Sequence, residues 1–189
     1  MKDIQYIIVG GSAGSFRIVT EILDSLPKQY PYALIFVLHR LKHIKTGFVE
    51  ALSSKSVLTV CEPKDKERIE KSKVYIIPAN YHAYILPDKT FALSVEEPVN
   101  HSRPSIDITL SSAAYSLKDK LLAVMLSGAN KDGAYGLGKV KEYGGHTIVQ
   151  DPDEAMVRTM PEAAIKESKT ENILSSQKII EYLSQLNKL

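Results

Sequence analysis

The chain has 189 residues, of which 44% are hydrophobic, with 24 Lys+Arg against 22 Asp+Glu. This length suits one sizeable domain rather than two, and the apolar fraction suits a packed core. The near balance of charge excludes a global field that would draw the chain to nucleic acid or an anionic membrane, and no apolar run approaches the ~20 residues that span a bilayer. The basic stretch Lys64 to Lys73 is interleaved with acids and reads as a solvated face. Cys61 is the one cysteine, so no internal disulfide forms. With no leader-like segment ahead of the first strand, this predicts a cytoplasmic protein.

In chain order, Ile4 to Val9 is apolar at nearly every position, the pattern of a strand covered on both faces. Gly10-Gly11-Ser12-Ala13-Gly14 follows as a turn. Phe16, Val19, Ile22, Leu23 and Leu26 then recur at helical spacing up to Pro27. Ala33 to Leu38 predicts a second buried strand, Phe48, Val49 and Leu52 a second helix, and Val57 to Cys61 a third strand. Val74 to Val95 holds three short β-rich pieces separated by turn residues, expected as an antiparallel hairpin excursion at the sheet edge. Ile106 to Leu117 predicts a helix and Leu121 to Leu126 a fully apolar strand. Ser127 to Gly136 reads as a loop leading into the next helix. His146 to Gln150 predicts a strand and Glu171 to Ser175 a short last one. An amphipathic helix from Ser176 closes the chain. Gln150 to Thr170 shows little strand pattern and is expected to wrap the surface near the strand ends. Strands alternating with helices predict an α/β fold: a doubly wound, mostly parallel sheet with helices on both faces, a Rossmann-like three-layer sandwich.

The Gly10 to Gly14 turn fits two chemistries. A dinucleotide cradle wants G-x-G-x-x-G and an acid at the end of the second strand. Here there is no G-x-G, and the second strand ends in His39-Arg40, where an arginine could at most hold a 2′-phosphate. A P-loop is excluded because no Gly-Lys-Ser/Thr follows. The alternative is G-x-S-x-G, in which flanking glycines permit the tight strand-to-helix turn that lifts a serine clear of the sheet. Alone, Ser12 could equally be a helix cap.

A serine nucleophile needs a base, and the base needs an orienting acid. Sites in parallel sheets gather at the carboxyl ends of strands. Of the histidines, only His39 directly follows a buried strand. His43 lies about one turn later, His82 in the hairpin, His101 in a loop, and His146 at the opposite end of the sheet. Asp132 lies in the loop after the apolar strand Leu121 to Leu126, where its simpler role would be a helix cap. Asp107 and Asp151 are rivals. Ser12, His39 and Asp132 thus mark three separate strand ends.

Gly10 to Gly14, His39, Arg103-Pro104-Ser105-Ile106-Asp107, Ser127 to Ala134, Gly144-Gly145, Val149-Gln150-Asp151-Pro152 and Met160-Pro161-Glu162-Ala163-Ala164-Ile165 together resemble the catalytic domain of the chemotaxis receptor methylesterases (CheB), from Ile4 to about Leu183. The resemblance implies that Ser12 is the nucleophile, His39 the base and later the acid, and Asp132 the group that orients His39. It further implies hydrolysis of glutamate γ-methyl esters on the cytoplasmic helices of methylated chemoreceptors, with glutamine deamidation in many members, and no metal or cofactor. Backbone N–H groups of Ala13 and Ala129 would hold the oxyanion, and Arg103 would touch substrate or structure its loop. Three residues depart from the common family pattern: Ser15 for glycine, Ala129 for methionine and Ser102 for histidine. Full-length family enzymes carry an N-terminal receiver domain, whereas residues 1–189 read as a single catalytic domain with its own natural start. No nucleic-acid partner and no membrane insertion are expected, and oligomeric state is not legible. The alternatives are a receptor-binding module with weak catalysis and a phosphate-binding α/β protein.

Overall fold

Apolar runs too continuous for a half-exposed strand build the centre of this molecule. The computed structural model describes residues 4–39 and 47–186. The expectations placed on Met1 to Asp3, Arg40 and His43 lie outside those residues. In chain order the elements are β1 (Tyr6–Gly11), α1 (Phe16–Ser25), β2 (Ala33–Leu38), α2 (Phe48–Ser53), β3 (Thr59–Cys61), β4 (Lys73–Ile76), β5 (His82–Ile85), β6 (Phe91–Ser94), α3 (Ile106–Leu117), β7 (Leu121–Met125), α4 (Ala134–Glu142), β8 (His146–Gln150), α5 (Thr159–Ser168), β9 (Ile173–Leu174) and α6 (Ser176–Gln185).

Seven strands form one sheet in the order β3-β4-β2-β1-β7-β8-β9, and every neighbouring pair is parallel. Every residue of β1, β2 and β7 is buried. Because side chains alternate across a strand, Ile7, Val9, Leu34 and Phe36 pack with α1 and α6 on one face. Tyr6, Ile8, Ile35 and Val37 pack with α3, α4 and α5 on the other. Full burial of one such aliphatic side chain contributes about 1.5–3 kcal/mol, so these three strands fix the sheet's centre. The chain leaves β1 toward β2 on one side and returns to β7 on the other. That reversal opens a crevice at the carboxyl ends.

Two sequence-based expectations need correction. The Val74 piece is not part of the hairpin: β4 lies inside the main sheet between β3 and β2, with Val74, Tyr75 and Ile76 fully buried. Its consecutive apolar residues are those of a strand covered on both faces, in a run too short to stand out. The hairpin that does form, β5–β6, is the expected antiparallel excursion, but it is a separate pair bonded to α3 rather than placed at the edge of the main sheet. Its open edge is covered by α3: Ser112 Oγ accepts from Ile85 N, and Thr109 and Ser116 hydroxyls donate to the carbonyls of Ala83 and Ile85. An edge strand satisfied this way offers no template for aggregation. The Gln150 to Thr170 stretch also holds a full helix, α5. Pro161 falls in its first turn, where a missing N–H removes no helical hydrogen bond.

Helices α3 and α4 cross closely at Gly136, where an added Cβ would lie 2.7 Å from Leu110 Cβ and 3.0 Å from the Asp107 carbonyl oxygen. Two residues along the same helix, a Cβ on Gly138 would meet nothing nearer than 3.8 Å. Gly136→Ala is therefore expected to lower stability by about 1–3 kcal/mol through overpacking. Gly138→Ala should raise it by up to about 1 kcal/mol through helix propensity. Denaturant midpoints of the two variants check the opposite signs.

Candidate active site

The carboxyl ends of β2, β1 and β7 lie side by side, and their ladders run one residue past the strands. His39 N donates to Gly11 O at 3.1 Å, Ser12 N to Ser127 O at 2.9 Å and Leu126 N to Gly10 O at 2.9 Å. Ser12 and His39 therefore leave neighbouring strands at the same level. Gly14, with φ of +83°, turns the chain sharply into α1. The cap position of that helix is Ser15, whose hydroxyl donates to Ser12 O at 2.7 Å. Ser12 is thus not the cap, and its Oγ bonds no described residue. Ala13 and Ala129 are exposed, and their N–H groups donate to no described partner. The loop carrying Ala129 is pinned from below. Buried Ser127 donates its hydroxyl to Ala13 O at 2.7 Å, its N–H to Gln150 Oε1 at 2.7 Å, and accepts from Val157 N at 2.9 Å.

Asp132 lies in this loop, fully buried, but it does not cap the helix that follows it. Its carboxylate crosses to the start of α3. Oδ2 accepts from Ile106 N at 2.6 Å and Oδ1 from the Ser105 hydroxyl at 2.8 Å and Asp107 N at 3.3 Å. A helix N-terminus offers both free N–H groups and a favourable dipole to an anion. Oδ2 also meets His39 Nε2 at 2.8 Å. Burial alone would raise the Asp132 pKa, but the bonds from His39, Ile106, Asn100 and Ser105 outweigh it and hold the group below the ordinary 3.8. Asp107 makes the reciprocal link, its Oδ1 accepting from Gly136 N in the first turn of α4 at 2.8 Å. Burial and the nearby Asp132 charge push its pKa up.

The sequence reading missed the turn that closes the site. Val99 and Ser102 pair through Ser102 N to Val99 O at 2.9 Å and Val99 N to Ser102 O at 3.2 Å. Between them Asn100 and His101 have φ of 52° and 61°, as in a hairpin turn of the I′ kind. Such backbone costs of order 1–3 kcal/mol per residue outside glycine and persists where surrounding contacts hold it. Here Asn100 Nδ2 bridges the two acids, at 2.8 Å from Asp107 Oδ2 and 3.1 Å from Asp132 Oδ1. Ser102 Oγ lies 3.3 Å from His39 Nδ1. Asn130 completes the network, accepting from Asp132 N at 3.1 Å and donating to Ser102 Oγ at 3.3 Å. An Asn-His pair with no glycine gives no standard turn signal, although Asn tolerates positive φ.

The remaining candidates lie elsewhere or serve the scaffold. His82 is fully buried, accepting from Ser105 N at Nδ1 and donating from Nε2 to Glu97 O. His146 opens β8 at the far end of the sheet. Asp151 organises its own turn by accepting from Asp153 N. Arg103 Nη1 donates to the carbonyls of Val95 and Glu96 at 2.6 and 2.8 Å, a loop clamp made through carbonyls rather than a salt bridge. Cys61 ends β3 half-buried, with its thiol pKa raised by burial. Among the described residues no group of three His, Cys, Asp or Glu side chains is placed to hold a metal ion. No helix among them is long and apolar enough to cross a membrane.

Comparison with known proteins identifies the family and the fold. The family model described as CheB methylesterase matches residues 7–183. A chain from Leptospira interrogans serogroup Icterohaemorrhagiae is 40% identical over 185 residues, covering 98% of this chain and 96% of that one. A protein-glutamate methylesterase/protein-glutamine glutaminase of Thermotoga maritima is 35% identical over 187 residues, covering 95% of this chain and 53% of its own length. The crystal structure of the Thermotoga maritima CheB methylesterase catalytic domain superposes with a TM-score of 0.89 at 35% identity, covering 97% of this chain and 98% of that one.

Because Asp132 ionises at lower pH folded than unfolded, it contributes stability above its ordinary pKa and loses that contribution as pH falls through the lower folded value. Asp107 acts oppositely, lowering stability as pH rises through its raised value. Denaturant midpoints of the unaltered chain and of Asp132→Asn are therefore expected to converge as pH is lowered from about 6 to about 3. A gap that stays constant would show that Asp132 carries no stabilising charge.

Proposed function

This chain belongs to the CheB methylesterase family, and from that footing we propose that it hydrolyses glutamate γ-methyl esters on chemoreceptor helices, with glutamine deamidation as a companion reaction. Ser12, His39 and Asp132 would form its catalytic triad. The observation that carries the reading is the 2.8 Å bond between His39 Nε2 and the buried Asp132 carboxylate, made at the strand end beside Ser12. An ionised carboxylate only accepts, so Nε2 holds the ring's hydrogen and Nδ1 is left as the basic nitrogen.

In the first half-reaction Nδ1 takes the Ser12 proton as Oγ attacks the ester carbonyl. The tetrahedral oxyanion is held by the N–H groups of Ala13 and Ala129, each worth on the order of 3 kcal/mol. That both groups have no described partner supports this role. The intermediate collapses, the C–OCH3 bond breaks, and Nδ1–H protonates the departing methoxide, which leaves as methanol. Water then repeats the attack on the acyl-serine, with Nδ1 as base, and glutamate and Ser12 are released. With glutamine the same steps release ammonia. Asp132 stays ionised throughout and stabilises the imidazolium.

One observation favours a second reading, a receptor-binding module without turnover: Ser12 Oγ bonds no described residue. Methanol release from methyl-esterified receptor membranes separates the two. The unaltered chain is expected to release methanol. Ser12→Ala should lose at least about 10³-fold in rate with its denaturant midpoint nearly unchanged, since the residue sits in a turn with no side-chain bond. Equal release by both proteins would remove Ser12 from the mechanism. Receptor binding with no release from either would establish the second reading.

A further inference from the structure

We propose that Ser102 is a positioning residue for His39, a second hydroxyl that holds the basic ring nitrogen in both of its protonation states. This rests on the triad reading given above. Ser102 is buried. Its Oγ stands 3.3 Å from His39 Nδ1 and 3.3 Å from Asn100 O, and it accepts from Asn130 Nδ2 at 3.3 Å.

A hydroxyl has one hydrogen to give and two lone pairs to receive. With Nε2 committed to Asp132, the neutral ring presents Nδ1 as an acceptor. The Ser102 hydrogen then has two acceptors within reach, Nδ1 and the Asn100 carbonyl. Once Nδ1 takes the Ser12 proton, it becomes a donor. The Ser102 hydrogen turns to Asn100 O, and Oγ receives Nδ1–H alongside the Asn130 amide. Rotation of one hydroxyl therefore satisfies the ring before and after proton transfer, with no heavy atom moving. The bond is long beside the 2.8 Å bond to Asp132, so it yields Nδ1 to Ser12 or to the leaving group when they approach. The turn from Val99 to Ser102 makes the arrangement rigid, because Asn100 in the same turn grips Asp132. One turn thus touches both partners of the His39–Asp132 pair.

The test compares Ser102→Ala with Ser102→Thr, which keeps the hydroxyl. Ser102→Ala is expected to lower kcat about tenfold, the usual scale for a hydrogen bond to a charged group, with KM changed by less than about twofold. Ser102→Thr should restore most of the rate. In 15N spectra of the ligand-free protein, the His39 Nδ1 resonance should move in Ser102→Ala and return toward its original position in Ser102→Thr. This second readout needs no ester, so it stands if methanol release fails because the substrate is different. An unmoved Nδ1 resonance in Ser102→Ala overturns the proposal. So does a Ser102→Ala variant as inert as Ser12→Ala that threonine does not rescue, which would make Ser102 more than a positioning group.

Discussion

The carboxylate of Asp132 is the group on which the rest of the site depends. A buried anion costs several kcal/mol of desolvation unless its lone pairs are satisfied. Here His39 Nε2, Asn100 Nδ2, the Ser105 hydroxyl and the N–H groups of Ile106 and Asp107 all point at it. Most of these donors belong to the start of α3, so the acid is oriented by a helix rather than by a mobile loop. Asp107 returns the favour by capping α4. The two helices are thereby locked at their N-termini by exchanged carboxylates, each standing where the other helix needs an anion. The imidazole inherits that rigidity, because its position follows from a fixed oxygen.

The sheet supplies the other half of the geometry. In a parallel sheet, neighbouring strands end on the same side, and a residue just past one strand stands beside a residue just past the next. Gly11 pairs with Leu38, which places Ser12 next to His39 without any special loop. The third strand end, from β7, brings the Ser127 to Asp132 loop to the same crevice. Ser127 ties that loop to the Ser12 turn through Ala13 O and to the segment before α5 through Val157. The groups proposed to hold the oxyanion are thus fixed by a buried hydroxyl that takes no part in the chemistry.

What was legible in the sequence was whatever leaves a local pattern. The apolar runs of β1, β2 and β7 announced doubly covered strands, and they drew attention to Ser12 and His39, which directly follow β1 and β2, and to Asp132 in the loop after β7. The hydrogen-bond network around His39 and Asp132 was not legible. Asn100, Ser102 and Ser105 meet Asp132 or His39 across 27 to 63 residues of chain, and such contacts impose no period on the sequence. The simpler roles considered for Ser12 and Asp132, as caps of the helices that follow them, were reasonable from local chemistry. Ser15 takes the first cap position, and Asp132 caps a different helix, which only the tertiary fold reveals. β4 escaped for a related reason. Four residues carry too little pattern to separate a central strand from a hairpin arm.

The most direct test is to locate the hydrogen on the His39 ring by 15N-edited NMR near neutral pH. If the α3 N-terminus fixes Asp132 and Asp132 fixes the ring, the neutral imidazole carries its hydrogen on Nε2, and that proton loses its protection and shifts in Asp132→Asn. A ring protonated on Nδ1, or an Nε2 proton indifferent to Asp132→Asn, would contradict the orientation from which the proposed chemistry follows.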